Sequence, residues 1–313
     1  MSDIPRHVLE DGDTRITLLA LGAAVQDWRL GDRACVLGFR DPESYRHNPG
    51  YLGTIVGRVA NRIGGARYTR GGETVTLTPN EGANMLHGGP DAISHRLWTL
   101  DPDGPRRARL GIVSEDGENG FPGRVEIAVT LTLDGGRLTW DMEARPDRET
   151  PINLAQHLYF NLAGAGDIRA HRLRLRASRY TPIDAAQIPT GEIAPVEGTR
   201  FDFRSARPLD APEGWDHNIA LDPGDGPAAE LTAPDGTTLR LRTDQPGLQV
   251  YSSNGLGPTG TPNDSAPHQT FAGLCLEAQG FPDAPNQPSF PPVFHTPDRP
   301  YRQITSVEIA PPR

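Results

Sequence analysis

The sequence predicts an all-β protein on three observations: apolar and polar residues alternate along short runs, turn-forming residues separate those runs, and no apolar stripe of helical period appears. The clearest run lies at 124–133, where Val125, Ile127, Val129, Leu131 and Leu133 alternate with Glu126, Ala128, Thr130 and Thr132. A period of two puts one set on a buried face and the other toward solvent. After Asp134, Gly135 and Gly136, the next run sets Leu138, Trp140, Met142 and Ala144 against Thr139, Asp141 and Glu143, so the pair reads as a hairpin. The same alternation marks strands at 14–20, 73–78, 237–243 and 306–310. No window of a dozen residues combines an i, i+3, i+4, i+7 stripe with caps, which limits helices to a few short ones. The 35 Gly and 31 Pro, about a fifth of the 313 residues, supply the many turns such a fold needs.

With 36% hydrophobic residues, the chain can bury a sizeable core. All-β units of this length occur as one domain, and no linker divides the sequence, so residues 1–313 are expected to form a single domain. The turn-rich stretches 254–267 and 280–292 lack charge runs and read as long ordered loops, where function often sits. The formal net charge is −9 and no basic run occurs, so no footprint for nucleic acid is present. All 31 basic residues are arginine, and a chain without lysine cannot form a Schiff base or carry a phosphate-loop lysine. Cys35 and Cys275 lie far apart, which suggests neither a disulfide framework nor a zinc ribbon and fits a reducing compartment. The N-terminal residues lack an apolar leader and no apolar stretch reaches spanning length, so a cytoplasmic protein without membrane association is expected. No His or carboxylate spacing resembles a zinc or calcium site, so no metal is expected.

Five polar clusters interrupt the strands: GRVANRI at 57–63, NMLHGG at 84–89, NLAQHLYFN at 153–161, WDHN at 215–218 and CLEAQGFPDAPN at 275–286. Judged singly, His157 reads as a hydrogen-bonded core histidine, His87 as a turn marker before two glycines, Arg62 as a surface ion-pair partner, and Asp216 as a capping residue. Glu277 differs, because it follows Leu274, Cys275 and Leu276, where an unpaired carboxylate is costly to bury.

In this order, together with GENGFPG at 117–123, HLYFNLAG at 157–164, YTPIDAAQIPTGEIAPVEGTRFDFR at 180–204 and LQVYSSN at 248–254, the clusters resemble the aldose 1-epimerase (galactose mutarotase) family over nearly the whole chain. The resemblance implies a β-supersandwich with a sugar cleft on one sheet, a free monosaccharide as partner, no cofactor, and a monomer or homodimer. It implies that Glu277 is the base and His157 the acid, with Asn61, Arg62, His87, Tyr159, Asp216 and Gln249 binding substrate. Interconverting α and β anomers requires removal of the C1 hydroxyl proton, delivery of a proton to the ring oxygen, rotation of the aldehyde and reclosure. One base and one acid suffice. A sugar presents hydroxyls at fixed geometry, which Arg, Asn, Asp, Gln and His are suited to orient.

Several positions depart from the family pattern. Ala155 and Gln156 stand where Thr-Asn is common, Ala278 replaces the middle residue of Glu-Thr-Gln, 93–97 replaces a glycine-phenylalanine stretch before Trp98, and Ile219 replaces an aromatic. These changes are expected to bear on which sugar is preferred. Two alternatives stay open: a non-catalytic sugar-binding or sensor module, and a hexose-6-phosphate 1-epimerase using Arg67 and Arg70 as phosphate cations. A glycosidase is disfavoured because the matching motifs offer Glu277 no paired carboxylate.

Overall fold

The alternation at 124–146 becomes a hairpin in the computed structural model, which describes residues 3–264 and 267–312. Val125–Asp134 pairs antiparallel with Arg137–Pro146, setting Leu131 opposite Trp140 and Val129 opposite Met142. The apolar sets of both strands are buried, as period two requires. This hairpin lies within a nine-stranded sheet ordered Thr99–Pro102, Arg107–Ser114, Val125–Asp134, Arg137–Pro146, Tyr301–Ala310, Thr238–Thr243, Ala229–Thr232, Arg172–Leu175 and Arg207–Pro208.

A second, six-stranded sheet runs Tyr159–Phe160, Leu274–Gln279, Gly247–Tyr251, Asp216–Ala220, Arg179–Tyr180 and Ala194–Pro195. Its inward residues Leu274, Leu276, Ala278, Leu248, Val250 and Ile219 share one hydrophobic cluster with the hairpin's Leu131 and Trp140. Two sheets buried against each other in this way form a sandwich. A four-stranded sheet, Arg6–Asp11, Thr14–Leu19, Ala24–Leu30 and Arg33–Ala34, adds Trp28 to the same core. The Trp28 ring lies 6.2 Å from that of Trp140 and 6.4 Å from that of Phe160. Such contacts contribute about 0.5–1.5 kcal/mol each beyond the area they bury.

The expected strands at 14–20, 237–243 and 306–310 appear as Thr14–Leu19, Thr238–Thr243 and the second half of Tyr301–Ala310. The run at 73–78 differs. Glu73–Thr76 pairs only with Arg67–Arg70 in an isolated ribbon, and none of its residues is fully buried. Val75 packs partly, and Leu77 just beyond the strand fully, against a small cluster around Tyr68. Helical structure among the described residues is confined to five 3-10 segments of three to six residues. No helix is long and apolar enough to cross a membrane.

His171, which no motif singles out, is fully buried, and burial pushes its imidazole down to about 4. A folded value below the unfolded one, near 6.5, means stability present above about 6.5 and lost as pH falls toward 4. We expect the melting temperature of wild type relative to His171→Leu to drop as pH is lowered across that window. Parallel pH slopes for the two proteins would remove His171 from the acid response.

Candidate active site

Side chains on successive strand residues point to opposite faces, so the face of the six-stranded sheet turned away from the core is set by parity. Tyr159, Cys275, Tyr251 and Asp216 form one cross-strand row, with Tyr159 opposite Cys275, Cys275 opposite Tyr251, and Tyr251 opposite Asp216. The next row is Glu277, Gln249 and Asn218. Above these rows lies a cleft of about 340 Å³, bordered by Arg62, His87, His157, Tyr159, Asp216 and Glu277. That volume falls within the range of small-molecule sites, roughly 300–1,000 Å³.

His157 reaches the cleft from the turn between Ala155–Gln156 and Tyr159–Phe160. Its backbone is pinned on both sides, the N–H donating to the Thr54 carbonyl at 2.9 Å and the carbonyl accepting from Gly53 N–H at 3.0 Å. Its Nε2 lies 3.7 Å from Oε2 of Glu277, and its Nδ1 lies 3.6 Å from Sγ of Cys275. Both members of the pair are buried. Burial disfavours each charged form: it pushes His157 down to about 4 and, helped by the nearby Asp216 carboxylate, holds Glu277 well above the usual carboxylate range. Burial thus favours the neutral form of each member, a protonated Glu277 beside an uncharged His157.

The GRVANRI and NMLHGG blocks pair with each other, Arg62–Ile63 running antiparallel to Met85–Leu86. Asn61 and His87 both adopt left-handed backbone, with φ of 61° and 50°. Asn61 N–H donates to His87 Nδ1 at 3.1 Å, and His87 N–H donates to the Asn61 carbonyl at 3.0 Å. Gly88 follows because a Cβ there would lie 2.1 Å from the Gly57 carbonyl oxygen. Ligating atoms of His87, His157 and Glu277 lie within 4.8 Å of one another, close enough for a metal ion. The Asn61 hydrogen bond decides against one: with Nδ1 accepting, neutral His87 carries its proton on Nε2, which makes that nitrogen a donor and leaves no lone pair for a metal. Burial keeps His87 neutral by lowering it well below its ordinary value.

Arg62 is gripped by Glu81 through Nε at 2.6 Å and Nη2 at 2.7 Å, while its Nη1 faces Asp216 Oδ2 at 4.0 Å. Gln249 donates to Asp216 Oδ1 at 2.6 Å, and burial raises the Asp216 carboxyl. Gln249 lies behind Asp216, bordering a small side pocket and not the main cleft, so it orients a carboxylate there. Asn61 and Tyr159 border the cleft, the Tyr159 hydroxyl donating to the Gly50 carbonyl at 2.7 Å.

Sequence reasoning missed Tyr51, Glu81 and Tyr251. Tyr51 lies 4.7 Å from the His87 ring and 5.9 Å from that of His157, and Tyr251 lies 6.5 Å from His157 on the other side. Tyr251 was findable, two residues beyond Gln249 and hence on the same face. Tyr51 and Glu81 sit in loops with no such pattern.

Most of the departures from the family pattern point away from the cleft. Ala278 and Ile219 belong to the inter-sheet core, and Ala155 packs with Val56 and Ala60. Gln156 is buried and braces both sides of the pair: its Nε2 donates to the Leu276 carbonyl at 2.7 Å and its Oε1 accepts from Leu158 N–H at 2.9 Å. Only His95 of the 93–97 stretch comes near the site, 5.3 Å from the Tyr51 ring. The GENGFPG block serves Arg58, whose buried guanidinium donates to the Pro122 and Gly123 carbonyls at 2.9 and 2.8 Å. Neither Arg67 nor Arg70 borders the cleft, and Arg70 pairs with Glu149 at 2.7 Å. Cys35 and Cys275 are buried free thiols.

The model of the aldose 1-epimerase family matches residues 5–308. The chain is 38% identical to galactose mutarotase of Mus musculus over 322 residues, covering 96% of this chain and 93% of that one. It is 38% identical to aldose 1-epimerase of Escherichia coli strain K12 over 318 residues, covering 94% and 91%. The structure superposes on an aldose epimerase homologue from C. elegans with a TM-score of 0.93 at 26% identity, covering 99% of this chain and 100% of the other. On galactose 1-epimerase from Lactobacillus acidophilus the TM-score is 0.89 at 27% identity, covering 100% and 96%. A family match along almost the full chain, with both catalytic candidates facing one cleft, leads to a single assignment: the chain belongs to the aldose 1-epimerase family.

Proposed function

We propose that this protein is a mutarotase that interconverts the α and β anomers of a free aldose, with Glu277 as base and His157 as acid. The observation that carries the roles is the buried pair itself, His157 Nε2 and Glu277 Oε2 at 3.7 Å on the cleft floor. Ring opening starts from the charged form of the pair, ionised Glu277 with protonated His157, which is the form that burial disfavours. Glu277 takes the C1 hydroxyl proton, the C1–O5 bond breaks, and His157 gives its proton to O5, leaving an aldehyde, a protonated Glu277 and a neutral His157. After rotation about C1–C2, the C5 hydroxyl oxygen attacks C1 from the other face. His157 takes the hydroxyl proton and Glu277 returns its own to the carbonyl oxygen. The pair holds one proton before and after each step, and ring opening moves it to the form that burial favours, protonated Glu277 with neutral His157.

Arg62, Asp216, Asn61, His87 and Tyr159 orient the hydroxyls in this reading, and Gln249 holds Asp216. The chain works as one domain over 1–313, supported by the core cluster that runs from Leu9 to Ile309. We read the protein as a monomer or a homodimer. Two buried free thiols suit the reducing cytoplasm.

Polarimetry of freshly dissolved α-D-glucose, α-D-galactose, L-arabinose and D-xylose in the presence of a chelator tests this. Accelerated decay of optical rotation is expected with one or more of them. Folded protein that accelerates none would favour the sugar-binding module.

A further inference from the structure

Arg62 is the one arginine among the described residues that border the cleft, and it is already engaged. Glu81 occupies its Nε and Nη2 edge with two short hydrogen bonds, a geometry that fixes the guanidinium plane and leaves only Nη1 directed toward Asp216. Glu81 is not a wandering surface side chain. Glu81 and Asn84 exchange backbone hydrogen bonds at 3.1 and 2.9 Å, and the Asn80 side chain brackets the Leu86 backbone at 3.0 and 2.7 Å. The cleft thus sets three carboxyl groups, on Glu81, Asp216 and Glu277, against one guanidinium. A hydroxyl finds donors and acceptors there. A phosphate or carboxylate finds the Nε/Nη2 edge taken, the remaining Nη1 facing Asp216 at 4.0 Å, and the Glu81 and Asp216 carboxyl oxygens close by.

We propose that Glu81 restricts this cleft to uncharged sugars: it positions Arg62 for hydroxyl binding and denies the Nε/Nη2 edge to anionic substituents. The inference rests on the mutarotase reading and names the substrate class of that site.

The test compares D-glucose with D-glucuronate in wild type and Glu81→Gln by polarimetry. The variant should raise KM for D-glucose about tenfold, the loss of a charge-assisted hydrogen bond, with kcat far less affected. Its glucuronate-to-glucose ratio of kcat/KM should rise at least about tenfold as the edge becomes free. Adding formate to Glu81→Ala should lower KM for D-glucose by refilling the carboxylate position. In wild type alone, uncharged D-glucuronamide should compete with D-glucose at least about tenfold better than D-glucuronate. An unchanged sugar ratio in Glu81→Gln, or equal competition by amide and acid in wild type, overturns the proposal. Should wild type turn over no sugar, the catalytic reading fails separately. Calorimetric binding of D-glucuronamide and D-glucuronate then decides the role of Glu81, equal affinities counting against it.

Discussion

Glu277→Gln is expected to lower kcat by about 10²–10⁴-fold, the usual contribution of a positioned acid or base, while KM changes little. Glutamine keeps the shape and one carbonyl oxygen but cannot take the C1 proton. Oε2 of Glu277 has no hydrogen-bond partner among the described residues, so the change breaks no internal hydrogen bond at that atom. The same change should stabilise the fold. A carboxyl whose folded value lies above its unfolded one contributes stability that is present below about 4.5 and lost as pH rises through the folded value. The melting temperature of Glu277→Gln should therefore exceed that of wild type by a margin that widens from pH 5 upward. Polarimetric rates and thermal melts on the same preparations check both halves. A variant within a few fold of wild-type kcat would remove Glu277 from the base role.

For His157→Gln a loss of similar size, about 10²–10⁴-fold in kcat, is expected because an amide can donate a hydrogen bond but cannot release a proton to the ring oxygen. The distinguishing readout is the pH profile. In wild type, acid adds a second proton to the pair near the His157 value of about 4, leaving no base to accept the C1 proton, so kcat falls below that pH. The residual activity of His157→Gln should lack that limb. An acid limb that persisted near 4 would assign it to a different group.

Glu277, His157, Asn61, Arg62, His87, Tyr159 and Asp216 were all legible as candidates, and they converge on one cleft although they span more than two hundred positions. Gln249 was legible too, but its place is behind Asp216. Two of the departures, Ala278 and Ile219, face the inter-sheet core for a physical reason. Ala278 is one residue from Glu277, and on a strand one residue means the opposite face. The same rule explains why Gln279 is buried on the side of Glu277 while Leu276 and Ala278 fill the inter-sheet core. Glu81 left no trace in the chain order. Its role depends on a loop turn at 80–84 that folds back beside Arg62, nineteen residues away.

What the sequence by itself determined is local. Period-two alternation with turn residues settles the strand at 125–134 and its hairpin partner, and motif identity marks which acid and which imidazole to watch. What only the tertiary structure decided is adjacency across strands: that Glu277 lies opposite Gln249, that His157 meets Glu277 at 3.7 Å, and that Arg62 is held by Glu81. Alternation along a strand assigns each side chain to a face, but register between strands is set by how whole sheets pack. The neighbours that tune a buried charge are therefore fixed by that packing and not by spacing in the chain.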